Sequence, residues 1–180
     1  IQAGIQSAAP GDTVLVAPGR YIENIDFLGK DIVVASRYLL EPDYVHVRAT
    51  IIDGSQPADP DTASTVRFVR NETAAARLIG FTITGGGGTN WVDPGVPGYV
   101  WRGGGGIFGF RTSPTIENNL VTATGTAYEV YLRDIGTGRV TDVRLTANSL
   151  PSLRNLTAVT IDGTGNWWGT SSGPAPSQIL

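Results

Sequence analysis

Ile116-Glu117-Asn118-Asn119-Leu120-Val121 carries the pattern that decides the fold of this chain. An apolar residue is followed by two spacers, an Asn, one spacer and a second apolar residue. The same spacing recurs at Leu145-Thr146-Ala147-Asn148-Ser149-Leu150 and, with Phe81 in the Asn place, at Leu78-Ile79-Gly80-Phe81-Thr82-Ile83. Asn166, in GNWWG, is a terminal echo. A unit this short cannot bury its own apolar side chains, and neighbouring units lie too close together for helical crossovers. Repeating at roughly the 20-residue period of solenoids, such units are expected to stack as rungs. Each rung then pairs its strands with the next at about 4.8 Å. Asn suits the corner between two strands of a rung, because it accepts a left-handed backbone with little strain, and stacked Asn side chains hydrogen-bond from rung to rung.

Outward from that unit the chain is a series of short β-rich runs. They are Val14 to Val16, Ile22 to Phe27, Ile32 to Ala35, Ile51-Ile52, Val66 to Val69 and Leu78 to Thr84, then Ile107 to Phe110, Thr115 to Thr122, Val130 to Leu132, Val143 to Thr146 and Leu156 to Ile161. Gly, Asn, Asp or Pro punctuates nearly every gap. Residues 1–9 differ: Ile1, Ile5 and Ala8 fall on one face of a short helix that Pro10-Gly11 ends. An open solenoid end exposes unpaired strand edges, so this helix is expected to cap one end. At the other end Trp167 and Trp168 either plug the core or leave a surface for end-to-end self-association. One domain is expected over 1–180, with an insertion at 85–106.

Hydrophobic residues make up 41% of the chain and charged ones 16%, a balance too apolar for disorder, while 24 Gly and 11 Pro among β-branched residues favour an all-β architecture. A net charge of -3 without a basic stripe excludes the electrostatic footprint of a nucleic-acid binder. No run approaches the roughly 18 apolar residues of a membrane-spanning helix. Without Cys there is no thiol chemistry, and a single His, His46, excludes any site needing two. The chain opens at Ile1 with no initiator Met and no signal peptide, and reads as a mature or trimmed segment.

Three stretches then carry a family likeness: IQAGIQSAAPGDTVLVAPGRYIENI at the start, TIIDG with SPTIENNLVT in the middle, and GNWWGTSSGP near the end. Together they resemble the right-handed parallel β-helix repeat proteins of the pectin-lyase-like superfamily, in their bacterial secreted or cell-surface form. The resemblance implies an all-β right-handed parallel β-helix with a capping helix, first rung, inner rungs and a closing aromatic motif. Activities in that superfamily range over pectin and pectate lyases, polygalacturonases, alginate epimerases and phage tailspikes, so fold alone does not select one. The polygalacturonase pattern of paired Asp residues with Gly-His-Gly is missing here. A lyase needs carboxylates that hold Ca²⁺ and an Arg or Lys that removes a proton.

The candidate residues follow. Two four-glycine runs in the 85–106 insertion bracket Trp91, Asp93, Tyr99, Trp101 and Arg102, and the segment is expected to leave the solenoid as a loop. Its aromatic faces suit the apolar side of sugar rings, and Arg102 suits a carboxylate or sulfate. The alternative is that Trp91 and Trp101 pack back on the wall, with the glycines as hinges. No Lys-Ser or Lys-Thr follows the glycines, so they do not form a phosphate loop. Asp59 and Asp61, near Asp53, are candidate Ca²⁺ ligands, the one cofactor considered, or else solvated turn residues. For catalysis the candidates are Asp53 and, as base, Arg67, which strand alternation turns outward between Val66 and Phe68; a surface ladder pair is its other reading. His46 is assigned to the core edge or solvent, and Asn71-Glu72-Thr73 and Asn155-Leu156-Thr157 are glycosylation sequons. The functional expectation is a non-catalytic extracellular module, a rod binding polysaccharide, cell-surface glycan or protein. The alternative is a uronate-polysaccharide lyase. Far-UV circular dichroism is expected to show a β-dominated spectrum, and a mainly helical one contradicts the fold.

Overall fold

In a run as short as Thr13–Val16, backbone amides and carbonyls have no partner within the run, so neighbouring segments must supply them. Thr13 to Val16 lies level with Val33 to Ser36 in parallel register. The structure, a computed structural model, describes residues 1–92, 98–122, 130–133, 139–141, 144–146 and 153–155. Three parallel sheets of five strands each dominate it. The first holds Thr13–Val16, Val33–Ser36, Arg77–Ile79, Thr115–Glu117 and Arg139–Thr141. The second holds Gly19–Ile22, Thr50–Asp53, Thr82–Thr84, Leu120–Thr122 and Arg144–Thr146. The third holds Ile25–Asp26, Val66–Phe68, Ile107–Phe110, Val130–Arg133 and Leu153–Asn155. The chain therefore visits the sheets in a fixed rotation, and each return, here called a circuit, lays a strand beside the one before it.

Alternation within each strand sends matched residues inward. Val34, Leu78 and Ile116 from the first sheet, Ile52, Ile83 and Val121 from the second, and Ile25, Val66, Ile107 and Val130 from the third belong to one buried cluster. Phe27 and Phe68 add a ring contact of 4.2 Å within it. Full burial of each such side chain contributes about 1.5–3 kcal/mol, so this shared core is the main term holding the sheets together.

Circuit length varies while register does not. Thr13 pairs with Val33 and Val130 with Leu153, close to the expected period. Between Val33 and Arg77 the chain inserts a 3₁₀ turn, Arg37–Leu39, and a helix, Tyr44–Ala49. That helix was not anticipated among the β-rich runs. Its signal is Asp43, whose Oδ1 accepts the Val45 N–H at 2.9 Å as an N-cap, and Val47 is its buried contact.

The N-terminal helix spans Gln2–Ser7, with Ile5 fully buried and Ile1 and Ala8 packed on the core. The Gln2 side chain donates to the Asp26 carbonyl at 3.1 Å and accepts the Asp26 N–H at 2.8 Å, covering the free edge of Ile25–Asp26. Lys30, the only lysine, donates from Nζ to the carbonyls of Ile5, Gln6 and Ala8 at 2.8, 2.7 and 2.7 Å, satisfying the helix's C-terminal acceptors. Asn148, Leu156 to Ile161, Asn166, Trp167 and Trp168 lie outside the described residues.

Two expectations are corrected. The left-handed corner residue is not Asn119 but its predecessor Asn118, at φ 56°, matched one circuit earlier by Gly80 at φ 79°. A Cβ on Gly80 would also meet Ser36 Oγ and Tyr38 Cβ at 2.6 Å. Asn119 works through its side chain instead: buried, it accepts the Phe81 N–H at 2.9 Å and donates to the carbonyls of Leu78 at 3.0 Å and Glu117 at 2.9 Å. It thus ties one circuit to the last, meeting backbone where a stacked Asn was expected. In the 85–106 insertion, where a loop was expected, the described residues include two paired strands. Gly88–Val92 pairs antiparallel with Val100–Gly103 and with Thr62–Ala63, because Thr89, Trp91, Val92, Val100 and Trp101 all favour extended backbone. Replacing Asn119 by Ala leaves buried backbone groups unsatisfied and is expected to lower stability by about 1–3 kcal/mol in urea unfolding. Asn118→Gly, which keeps the left-handed corner, is expected to change it far less.

Candidate functional site

Outward positions of the third sheet form the row that leads to the site. Register aligns Asp26, Arg67, Phe108 and Tyr131, each pointing away from the core residues beside it. Arg67 Nη2 donates to Asp26 Oδ2 at 2.9 Å, so the first half of the row is an ion pair. Phe108 and Tyr131 make up the second half, with parallel rings 5.8 Å apart. Large outward aromatics need cover, and both are nearly inaccessible, at 3% and 2% exposure.

The hairpin supplies that cover. Trp91 lies 5.7 Å from Tyr131, Trp101 stacks 6.0 Å beyond Trp91 at an interplanar angle of 16°, and Tyr99 sits 5.5 Å from Trp101. Phe108, Tyr131, Trp91, Trp101 and Tyr99 thus form one column of rings, buried at its base. At its outer end Trp101 is 37% and Tyr99 62% exposed, flanked by exposed Val92 and Val100. Each such ring pair adds about 0.5–1.5 kcal/mol beyond burial, so the exposed rings stand on a rigid support. Trp91 packs back on Tyr131, as one of the two readings expected, while Trp101 stacks on Trp91 and stays partly exposed. Phe108 and Tyr131 were not flagged in the sequence, although alternation through Ile107-Phe108-Gly109-Phe110 marks Phe108 as outward.

The glycine runs approach each other closely. A Cβ on Gly86 would come within 1.9 Å of the Gly105 carbonyl oxygen, so the two runs meet at the neck of the hairpin. Arg102 closes that neck: Nε donates to the Gly87 carbonyl at 2.6 Å, Nη1 to Asn90 Oδ1 at 3.3 Å and Nη2 to the Pro60 carbonyl at 2.5 Å. Asn90 in turn donates to Asp61 Oδ1 at 2.7 Å. Arg102, expected as an anion contact, also fastens the neck, spending three of its five N–H groups there while its side chain stays exposed.

The other candidates are dispersed. Asp53, 2% exposed on the second sheet, accepts from Arg20 Nε and Nη2 at 2.8 and 2.5 Å and from the Ser55 N–H at 3.0 Å. Burial pushes its carboxyl up, but the Ser55 and Arg20 hydrogen bonds outweigh burial and hold it below the usual carboxylate value. Asp53 and Arg67 therefore occupy different sheets, each in its own ion pair. Asp59 accepts the Asp61 N–H at 2.9 Å and the Thr62 hydroxyl at 3.3 Å, a turn closed on itself. Among the described residues no group of three or more His, Cys, Asp or Glu side chains is placed to hold a metal ion. His46 lies 3.1 Å from Glu41 Oε2 near the surface, and Asp93 lies outside the described residues. No described helix is long and apolar enough to cross a membrane.

Compared with protein-family models, curated proteins and solved structures, the chain matches none.

Because the Asp53 carboxyl is lowered in the fold, it stabilises fully above its unfolded value of about 3.9 and loses that contribution as pH falls through its native value. Asp53→Asn is therefore expected to destabilise the chain by about 1–3 kcal/mol at neutral pH. That gap from wild type should close on acidification, as read by urea unfolding across pH; a gap that persists in acid removes the ion pair's role.

Proposed function

We propose that the chain is a right-handed parallel β-helix of the pectin-lyase-like type, secreted or displayed at the cell surface. It serves there as a non-catalytic rod that binds polysaccharide or cell-surface glycan. Supporting the fold is the fixed rotation of the chain through three parallel sheets in register. The hand follows from the rule that parallel crossovers are right-handed in about 98% of cases.

The observation that carries the binding reading is the exposed Tyr99–Trp101 pair at the end of a ring column that reaches into the sheet. Aromatic surface held this rigidly loses little freedom when a ligand covers it, and exposed apolar patches mark interaction sites. The lyase alternative needs a base and a charge-neutralising group side by side. Asp53 and Arg67 stand apart and are already paired, which favours binding over turnover.

Migration in native gels cast with a panel of polysaccharides tests the reading. Retardation by at least one polysaccharide is expected, and it should be lost in the Tyr99→Ala, Trp101→Ala double variant. Incubation with uronate polysaccharides, with and without Ca²⁺, is expected to release no ultraviolet-absorbing unsaturated sugar. Steady Ca²⁺-dependent release overturns the non-catalytic assignment.

A further inference from the structure

Resting on that glycan-binding reading, we propose that the hairpin platform selects a neutral β-linked glycan through the apolar C–H faces of its sugars, and rejects an acidic one. The charges that border the column carry the inference. Arg102, within the platform strand itself, directs Nε, Nη1 and Nη2 to the Gly87 carbonyl, Asn90 Oδ1 and the Pro60 carbonyl. Arg67, next to Phe108 in the outward row, is paired with Asp26 at 2.9 Å. Arg111 lies over the Phe110 ring, 5.2 Å from its centroid. A carboxylate arriving at Tyr99 and Trp101 meets rings and aliphatic side chains, and Arg102 beside them already spends three of its five N–H groups on the protein, so the charge regains little of the hydration it loses, and an under-compensated desolvated charge is costly.

A neutral sugar meets no such penalty. In a β-linked chain with equatorial hydroxyls, axial C–H groups line both faces of each ring, so a face can lie on an indole while the hydroxyls stay in water. Val92 and Val100, 54% and 60% exposed, extend the apolar surface beyond the rings. The Tyr99 hydroxyl offers a polar contact at the edge.

Isothermal titration of the full chain with cellohexaose and with hexagalacturonate, each at low and high salt, is the test. Cellohexaose is expected to bind with an affinity that salt does not change, since no ion pair is formed. Tyr99→Ala and Trp101→Ala are each expected to weaken that binding at least about tenfold, a loss of about 1.4 kcal/mol. Tyr99 is the more exposed ring, and near-UV circular dichroism should show the Trp91 stack intact in Tyr99→Ala. Tighter, salt-sensitive binding of hexagalacturonate overturns the neutral assignment while leaving glycan binding in place. Binding of neither sugar overturns both readings. Self-association that Trp101→Ala abolishes, with no sugar bound, overturns both in favour of a second copy of this chain as occupant.

Discussion

Every strand of the three parallel sheets depends on the strand one circuit away, because none is long enough to satisfy or bury itself alone. Parallel pairing at fixed register is thus the constraint from which the rest follows. A one-residue slip would exchange the Val34, Leu78 and Ile116 row for its outward neighbours, emptying the core and burying polar groups. Insertions are tolerated only where they leave and rejoin without disturbing that register, as the Tyr44–Ala49 helix and the hairpin both do. Asn119 enforces the same rule at a corner, and Gln2 ends it at the Asp26 edge by acting as a strand in miniature.

Outside the core, charge is handled circuit by circuit. Asp26 pairs with Arg67, Asp53 with Arg20, and Glu117 with Arg77, each partner standing on an adjacent strand of the same sheet. Such pairs keep acids and bases spread along the faces and neutralised locally.

The hairpin breaks this pattern. It departs from the parallel order, pairs antiparallel, and lays two Trp rings over a Tyr that the third sheet presents outward. Glycine is indispensable where the two runs cross, because a side chain on Gly86 has nowhere to go. The result is an apolar platform on a rigid stem, with its one arginine turned back into the neck.

The sequence by itself determined the all-β character, the N-terminal helix with Ile5 inward, and the inward rows, because these rest on short-range periodicity that any strand or helix must obey. It also singled out Trp91, Tyr99 and Trp101 by their isolation between glycines. Tertiary structure alone decided that Asn118 takes the left-handed corner, that Arg67 meets Asp26, that Arg102 faces the Pro60 carbonyl, and that Tyr131 completes the column. Each of these joins residues far apart in the chain, and only the register set by packing the shared core brings them together.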